Sequence, residues 1–244
     1  MKNTDNGFDN SNWAKAEFAR EYRDNAEIYV IERRRLLAIL RSFYKHYLKG
    51  GRPKTILDLG CGDGVITREI LKVDGSASAT LLDGSEDMLN TARERLKHFK
   101  NVQFIRAGFQ DFSQKDILDQ DFDLIVSSLA IHHLTRDEKR SLFKKIYAHL
   151  DPHGHFVNID VILAPTESLE EWYMSLWKEW ISEKKISLGI EDHYFDDIIR
   201  RYKENKDNKP DTLRDQMDAL REIGFKDVDC FYKYGIFSMF GGRK

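Results

Sequence analysis

The most informative stretch of the chain reads Ile56-Leu57-Asp58-Leu59-Gly60-Cys61-Gly62-Asp63-Gly64. Its apolar first half predicts a short buried strand, and its glycines predict a tight turn that leads into a helix. Glycines let the backbone approach a ligand closely, and the first turn of a helix presents free amide groups to it. The stretch therefore predicts a ligand-binding turn at the carboxyl edge of a doubly wound sheet.

Short apolar runs alternate with amphipathic helical segments after this turn. We predict strands at 55–59, 79–82, 102–105, 122–127 and 155–162, with helices at 65–72, 86–98 and 136–150. Thr135 and Glu138 form a capping box that marks the start of the last of these helices. Strands that alternate with helices imply right-handed crossovers and a mostly parallel sheet. Two further runs, 225–232 and 236–240, predict an antiparallel hairpin at the sheet edge.

The chain divides into four segments on this pattern. The expected fold is α/β, a doubly wound, seven-stranded, mostly parallel (Rossmann-like) sheet with N-terminal helices and a helical lid insertion. We expect a helical segment at 1–53 that covers the active site, an α/β core at 54–164, the lid insertion at 165–210, and a helix with the edge hairpin at 211–244.

Composition narrows the class of protein. Of the 244 residues, 41% are hydrophobic and 33% are charged, which is typical of a soluble globular chain. The formal net charge of −2 gives no general attraction to nucleic acid. No stretch approaches the roughly 20 apolar residues that span a bilayer, and the polar first residues do not resemble a signal peptide. We therefore expect a cytoplasmic protein with no membrane partner and no nucleic-acid partner.

The two cysteines argue against a disulfide framework and against a zinc ribbon. Cys61 and Cys230 lie far apart in the sequence, whereas such sites need closely spaced sets. His153 and His155 have no nearby third ligand, so we expect no metal site.

The glycine turn also discriminates between two classes of cofactor. A dinucleotide-binding turn reads Gly-x-Gly-x-x-Gly, but its third glycine position is occupied here by Val65, and the glycine comes one residue early, at Gly64. Asp58 and Asp63 would repel a pyrophosphate, whereas they favour the ammonium and sulfonium groups of S-adenosylmethionine. Asp83 follows the second strand, where a carboxylate can accept two hydrogen bonds from a ribose diol. A helix cap is the alternative role for Asp83.

Several motifs together resemble those of the class I S-adenosylmethionine-dependent methyltransferases, in their small-molecule branch. The similar segments are 56–64, 82–89, 122–129, 131–134, 150–155, 224–228 and 240–244. The resemblance implies S-adenosylmethionine as cofactor and S-adenosylhomocysteine as product. It also implies that Asp83 holds the ribose, that Met88 packs on the adenine, and that Tyr22 covers the methyl group, although core packing would equally explain Tyr22.

One departure from the family pattern concerns the adenine. Many relatives have an acid after the third strand, where this chain has Gly108. We therefore expect Gln110, Asp111 and Phe112 to contact the adenine. The full set of expected cofactor contacts is Tyr22, Asp58, Gly60, Gly62, Asp83, Gly84, Met88, Gln110, Asp111, Phe112 and Leu129.

Two adjacent histidines are the candidate catalytic groups. His132 and His133 follow the fourth strand, and the imidazole pKa lies near neutrality, which suits a general base. We expect their side chains to diverge, so that at most one faces the substrate. Alternatively, one packs against the cofactor loop and the other is half exposed.

The candidate substrate-binding residues are Asp160, Trp172, Trp177 and His193. The aromatic residues of the insertion recur at helical spacing and predict one apolar helix face. That face would wall a substrate pocket, or it would pack against the N-terminal helices or a partner subunit in a homodimer. The basic run 33–35 is expected to be a solvated helix face, although one of its arginines could meet a carboxylate.

These observations favour a methyltransferase that acts by in-line transfer on an oxygen, nitrogen, sulfur or carbon atom of a small, partly apolar molecule. A tRNA-modifying relative, including enzymes that bind an altered S-adenosylmethionine, is one alternative. A regulatory protein that binds S-adenosylmethionine without turnover is another. Val65 argues against an NAD-linked oxidoreductase.

Overall fold

The computed structural model describes residue 8, residues 11–191 and residues 193–244. Within these residues, one sheet contains seven strands. They are β1 (Thr55–Leu59), β2 (Ser78–Asp83), β3 (Val102–Arg106), β4 (Phe122–Ser128), β5 (Leu150–Val161), β6 (Lys226–Tyr234) and β7 (Phe237–Arg243).

The strand order is β3-β2-β1-β4-β5-β7-β6. The first five strands of this order pair in parallel, and β7 pairs antiparallel with both β5 and β6. The predicted doubly wound, mostly parallel sheet with an edge hairpin is therefore confirmed. From β1 the chain extends the sheet through β2 to β3, and it then returns to the other side of β1 to form β4. A crevice opens between the carboxyl ends of β1 and β4, where this reversal occurs.

The helices cover both faces of the sheet. They are α1 (Ala16–Tyr29), α2 (Arg33–Tyr47), α3 (Val65–Leu71), α4 (Glu86–Leu96), α5 (Phe109–Gln114), α6 (Arg136–His149), α7 (Glu167–Leu188), α8 (Ile198–Glu204) and α9 (Leu213–Ile223). The described residues include no helix that is both long enough and apolar enough to cross a membrane.

The N-terminal helical segment is interrupted between α1 and α2, which its apolar pattern did not predict. Val30 is extended, and Glu32 has a positive φ of 51°. Val30 and Ile31 are both buried, so the turn between the two helices directs two consecutive apolar side chains into the core.

Alternation along the strands divides the core into two clusters. Leu124 of β4 packs in the cluster that also contains residues of α2, α3, α4 and α7, whereas Ile125 packs with residues of α5, α6 and α9. Successive strand side chains point to opposite faces, and helices on both faces bury them.

Polar caps fix the helices that start at the carboxyl edge. The Ser85 hydroxyl accepts a hydrogen bond from the Met88 amide at the start of α4. Thr135 and Glu138 form the predicted capping box of α6, in which the Glu138 carboxylate accepts from the Thr135 amide at 2.8 Å. These caps satisfy amides that the helix cannot pair internally.

The insertion supplies α7 and α8 on the side of the sheet that carries α1. Trp177 of α7 is 4% exposed, and its indole N–H donates to the carbonyl of Tyr29 in α1 at 2.9 Å. The helical insertion is thus present, and its role as a lid stays a prediction.

Residues 205–211, which we name the strap, connect α8 to the start of α9. The strap is tied to the turn after β4, because the Lys209 amide donates to the His132 carbonyl at 2.8 Å. The buried Lys139 of α6 donates to the Asp211 carboxylate at 2.8 Å and also to the Lys209 carbonyl. The strap therefore has a fixed position beside the histidine pair.

Candidate active site

Two adjoining cavities open at the carboxyl edge of the sheet. The larger, of about 270 Å³, borders the glycine turn and the end of β2, and we name it the glycine-turn cavity. The smaller, of about 180 Å³, we name the aromatic cavity. Its lining consists of Trp13, Phe18, Glu21, Tyr22, Tyr29, Val30, Leu129, His132, His133, Val161, Trp177, Ile198, Arg201, Tyr202, Asn205, Asn208 and Phe237.

The glycine turn is held in a conformation that requires glycine. Gly60 has a φ of +66°, and a Cβ atom on it would lie 2.6 Å from the Cβ of Ala130. The Gly60 and Cys61 amides both donate to the Leu82 carbonyl, at 2.8 Å and 3.1 Å. These bonds join the turn to the end of β2, so the backbone forms one wall of the cavity.

Asp83 lies at the end of β2 and lines the glycine-turn cavity as predicted. Its two carboxylate oxygens accept hydrogen bonds from the Gly62 and Ser85 amides, each at 2.8 Å. Burial raises the pKa of this carboxyl group above its ordinary value. The backbone bonds orient the group, and each oxygen retains a lone pair for a hydroxyl donor.

The far end of this cavity is bordered by Phe8, Gly84, Met88, Gly108, Phe109 and Gln110. The structure places Asp111 and Phe112 outside the lining, in contrast to the sequence-based expectation. The Asp111 carboxylate accepts from the Gly108 amide at 3.2 Å at the start of α5, and Phe112 is fully buried in the core. The short helix α5, which the sequence pattern did not indicate, turns these two side chains away.

Asp58 is also placed differently from the prediction. It is fully buried outside the cavity lining and accepts a hydrogen bond from the Thr67 hydroxyl of α3 at 2.6 Å. Its other carboxylate oxygen has no hydrogen-bond partner among the described residues. Burial, opposed by the bond from Thr67, raises the pKa of Asp58 to about 7. Asp63 of the same turn does line the cavity.

The buried Asp58 predicts a pH-dependent stability. A carboxyl pKa that rises on folding from 3.8 to about 7 stabilises the fold at low pH, and this contribution is lost as the pH rises through 7. Asp58→Asn removes the titration, so its melting temperature should rise relative to wild type between pH 4 and pH 7, by an amount that corresponds to about 4 kcal/mol at most. Thermal unfolding across this range measures the difference.

The matched control for this prediction is Asp119→Asn, because Asp119 is exposed. Its melting temperature should follow that of wild type at every pH. A constant difference between Asp58→Asn and wild type from pH 4 to pH 7 would contradict the raised pKa of Asp58.

The two cavities have part of their lining in common, which we call the shared wall. It is formed by Trp13, Tyr22, Val30, Leu129 and His133, which line both. Leu129 has a φ of +53°, a left-handed conformation that is rare for a branched residue. Its amide donates to the Ile159 carbonyl at 2.7 Å, which holds this strained backbone in place between the cavities.

The two histidine rings lie close together, tilted by 46°, instead of diverging. Their centroids are 3.9 Å apart, because residues Ile131–His133 form a 3₁₀ turn and not an extended segment. Both ring nitrogens of His133 are engaged: Nε2 accepts from the Trp13 indole N–H at 2.7 Å, and Nδ1 donates to the Asp207 carbonyl at 3.1 Å. Burial, together with the neighbouring His132, holds the pKa of His133 well below its ordinary value.

His132 has a different arrangement of partners. Its Nδ1 lies 2.5 Å from one carboxylate oxygen of Asp160, and its amide donates to the other at 2.9 Å. Asp160 also accepts from the Val161 amide, so the carboxylate is well supplied with donors and the Nδ1 atom of His132 carries the proton. The Nε2 atom has no hydrogen-bond partner among the described residues, and His132 lines the aromatic cavity.

Asp160, predicted to bind substrate, lines neither cavity and contacts His132 instead. Of the other predicted substrate residues, Trp177 lines the aromatic cavity. Trp172 is 56% exposed, and His193 is exposed and paired with Asp196. Neither Trp172 nor His193 borders a cavity.

Some lining residues were missed by the sequence reasoning. Tyr202 lies among the charged residues of α8, and Phe237 lies in the edge hairpin. Within the basic run, Arg33 lines the glycine-turn cavity, whereas the Arg34 side chain is 88% exposed. The only sequence signal for Arg33 was its position next to the apolar face of α2.

Part of the chain matches a known family. Residues 56–154 match the family model described as "Methyltransferase domain". A malonyl-[acyl-carrier protein] O-methyltransferase of Halalkalibacterium halodurans is 31% identical over 102 residues, which cover 42% of this chain and 37% of that protein. A carboxy-S-adenosyl-L-methionine synthase of Nautilia profundicola is 23% identical over 188 residues, which cover 76% and 75% of the two chains. The chain thus spans little more than a third of the first relative's length.

Solved structures share the fold. An O-methyltransferase family protein of Burkholderia thailandensis superposes with a TM-score of 0.64 at 14% identity, covering 95% of this chain and 61% of that one. A 1,6-didemethyltoxoflavin-N1-methyltransferase of the same organism, solved with S-adenosylhomocysteine, gives a TM-score of 0.59 at 18% identity over 94% and 86% of the chains.

Proposed function

Because this chain carries a class I S-adenosylmethionine-dependent methyltransferase domain, we propose that it transfers a methyl group from S-adenosylmethionine to a small, partly apolar acceptor. The observation that carries this proposal is the pair of cavities with a shared wall at Leu129 and Tyr22. A donor in one cavity and an acceptor in the other would lie next to each other at these shared residues, and in-line transfer requires such close approach and alignment.

The glycine-turn cavity fits the cofactor by its set of polar groups. Asp83 provides a carboxylate for the ribose diol, and Gly60 and Gly62 provide a backbone wall with no side chains. Asp63 and Arg33 line the same cavity and offer one charge of each sign. These charges suit the ammonium and carboxylate of the methionine moiety. The proposed cofactor contacts are Tyr22, Gly60, Gly62, Asp83, Gly84, Met88, Gln110 and Leu129.

His132 is the proposed general base. When bound, S-adenosylmethionine supplies a sulfonium methyl group: the acceptor lone pair forms the new bond to the methyl carbon while the carbon–sulfur bond breaks and its electron pair returns to sulfur. The proton of the acceptor hydroxyl, thiol or amine passes to His132 Nε2. Asp160 holds the tautomer that leaves Nε2 unprotonated and stabilises the imidazolium that forms. His133 is a positioning residue, because its two nitrogens already have partners.

Binding of the methyl donor is the first test of this function. Calorimetric titration should show micromolar dissociation constants for S-adenosylmethionine and S-adenosylhomocysteine, and no heat of binding for NAD. The reason is the acidic glycine turn with Val65 at the third glycine position. Binding of NAD alone, or of none of the three, would reject the proposed function.

A second candidate function is supported by the relatives that match most of this chain. The carboxy-S-adenosyl-L-methionine synthases cover about three quarters of both chains in the alignment, which raises the alternative of an enzyme that makes or binds an altered cofactor. Mass spectrometry of the ligand extracted from the purified protein separates the two. Unmodified S-adenosylmethionine or S-adenosylhomocysteine supports methyl transfer, and a carboxylated form supports the alternative.

The net charge and the packing of the insertion bear on the partners of the chain. The net charge of −2 favours a small molecule over nucleic acid. The burial of Trp177 against α1 favours packing of the insertion on its own chain over a homodimer contact at that residue.

A further inference from the structure

The aromatic cavity has the size and walls of a site for one flat ring system. Its volume of about 180 Å³ is comparable to the roughly 150 Å³ cavity that holds a benzene molecule in an engineered protein. Trp177 stands nearly perpendicular to Tyr202 and to Phe237, at 84° and 79°. Tyr22 and Tyr29 lie almost parallel, at 12°. A planar aromatic guest can stack on some of these rings and meet others edge-on.

These walls are fixed before any acceptor binds. Trp177 is anchored through its indole N–H to the Tyr29 carbonyl, and Tyr29 donates its hydroxyl to the Glu21 carboxylate at 2.5 Å. Two helices, α1 and α7, therefore hold the rings in place. A preformed site binds a rigid ligand with little loss of conformational entropy.

One polar atom beside these rings lacks a partner. Arg201 Nη1 donates to the Tyr194 hydroxyl at 2.8 Å, and Nη2 donates to the Tyr194 carbonyl at 3.0 Å. Arg201 Nε is buried and has no hydrogen-bond partner among the described residues, although Arg201 lines the aromatic cavity. The Nε atom itself is enclosed by the protein, so Arg201 borders the cavity with other atoms of its side chain and contributes its positive charge there.

The charges at the cavity disfavour a cationic acceptor, which a box of aromatic rings would otherwise suit. Arg201 contributes a positive charge to the lining. The carboxylate of Glu21 is already occupied by the Tyr29 hydroxyl and lies 3.5 Å from Arg201 Nη1. The Asp160 carboxylate is committed to His132. Both contacts of Glu21 involve its Oε1 atom, so an ammonium group would have to compete with Arg201 for this carboxylate.

We propose that the aromatic cavity binds a planar aromatic acceptor that carries a hydroxyl, carbonyl or carboxylate oxygen, with that oxygen lying toward the positive charge of Arg201. This inference rests on the proposed function, since it assigns the acceptor of the same reaction. It adds Arg201 and the ring walls as the determinants of acceptor class. The nucleophile is a hydroxyl or N–H group of that aromatic molecule, whose proton His132 removes.

The test is a titration of the protein saturated with S-adenosylhomocysteine. The aromatic probes are 4-hydroxybenzoate, catechol and 1-hydroxy-2-naphthoate. The matched control is 4-hydroxycyclohexanecarboxylate, which has the same groups as the first probe on a saturated ring, and phosphoethanolamine is the cationic probe. Calorimetry gives the affinities, and quenching of tryptophan fluorescence reports occupancy next to Trp13 and Trp177, which line the cavity.

At least one aromatic probe should bind about tenfold tighter than the saturated analogue and phosphoethanolamine. Arg201→Gln should weaken a carboxylate-bearing probe about tenfold, because the substitution removes the positive charge toward which the carboxylate lies. Arg200→Gln is the matched control, because Arg200 is the exposed neighbour on α8, is paired with Asp197 and lies outside both cavities. It should change the affinity by less than about twofold. Both variants should retain the wild-type affinity for S-adenosylhomocysteine, which shows that they are folded.

Three results would overturn this inference: binding of S-adenosylhomocysteine but of no aromatic probe, binding of phosphoethanolamine or the saturated analogue at least as tightly as the aromatic probes, or equal effects of the two arginine substitutions. Failure to bind S-adenosylhomocysteine at all would instead reject the proposed function, and this inference with it.

Discussion

Replacing Asp83 with alanine should raise the dissociation constant for S-adenosylmethionine by about a hundredfold or more. A carboxylate that accepts two hydroxyl hydrogen bonds from a ribose contributes roughly 1.5–3 kcal/mol for each bond, and about 3 kcal/mol corresponds to more than a hundredfold in affinity. The substitution also removes the acceptor for the Gly62 and Ser85 amides, so the glycine turn keeps only its bonds to the Leu82 carbonyl as links to β2. Calorimetric titration measures the loss.

Two further variants separate binding from folding. Asp83→Asn keeps one amide-oxygen acceptor and should lose affinity by a smaller factor than alanine. Glu86→Ala removes a half-exposed acid on the first turn of α4, where it pairs with Arg93, and should leave the affinity unchanged. If both Asp83 variants unfold like wild type on heating and bind the cofactor within about threefold of it, Asp83 does not hold the ribose.

Replacing His132 with glutamine should reduce kcat by about a hundredfold to ten-thousandfold, the usual contribution of a positioned general base. Asp160→Asn should have a comparable effect, because an asparagine at this position no longer holds the tautomer of His132 that leaves Nε2 free. Neither substitution touches the glycine-turn cavity, so the affinity for S-adenosylmethionine should stay within about twofold of wild type. The assay uses the first acceptor that yields a methylated product.

The pH profile distinguishes a base from a structural role. If His132 removes the proton of the acceptor, the wild-type rate should depend on pH, and the His132→Gln variant should lose this dependence. His193→Gln is the matched control, because His193 is exposed and lines neither cavity, and it should behave as wild type. An unchanged kcat in His132→Gln would show that methyl transfer needs no proton removal by this residue.

Local patterns were sufficient to predict the sheet and the edge of the sheet where the glycine-turn cavity lies. Three of the predicted features are formed by residues that are close together in the sequence: the glycine turn, the acid after β2 and the capping box of α6. Each of them has one local physical explanation. Gly60, Asp83 and Leu129 were accordingly found at the cavity where they were predicted. Strand ends moved by a few residues, as with β5, which begins at Leu150 and not at His155.

The acceptor side could not be predicted, because it is assembled from distant segments. Trp13, Trp177, Tyr202 and Phe237 come from an N-terminal turn, two helices of the insertion and the edge hairpin. No sequence pattern relates them, since their proximity results from tertiary packing. The pairing of His132 with Asp160 is of the same kind and depends on the adjacency of β4 and β5.

The position of the Asp58 side chain was predictable from strand geometry, but the sequence-based prediction considered only its negative charge. Side chains alternate along β1, so Asp58 shares its face with Ile56, on the side of α3, where Thr67 meets it. The charge of the cofactor indicates the direction of the Asp58 side chain less well than the alternation of side chains along β1 does. Asp63 lies beyond the strand and is therefore free to face the cavity.

The position of β7 between β5 and β6 has a consequence for synthesis on the ribosome. The first five strands emerge in an order that lets each parallel pair form early, but the outer edge of β5 receives its partner only after the whole of α7, α8 and α9 has been translated. Until then, a nascent chain presents the unpaired edge of its longest strand to its surroundings, and such an edge is a template for pairing between chains. The insertion of β7 is thus a late, long-range step in folding, and a ribosome that pauses before β7 would leave this protein in its most aggregation-prone form.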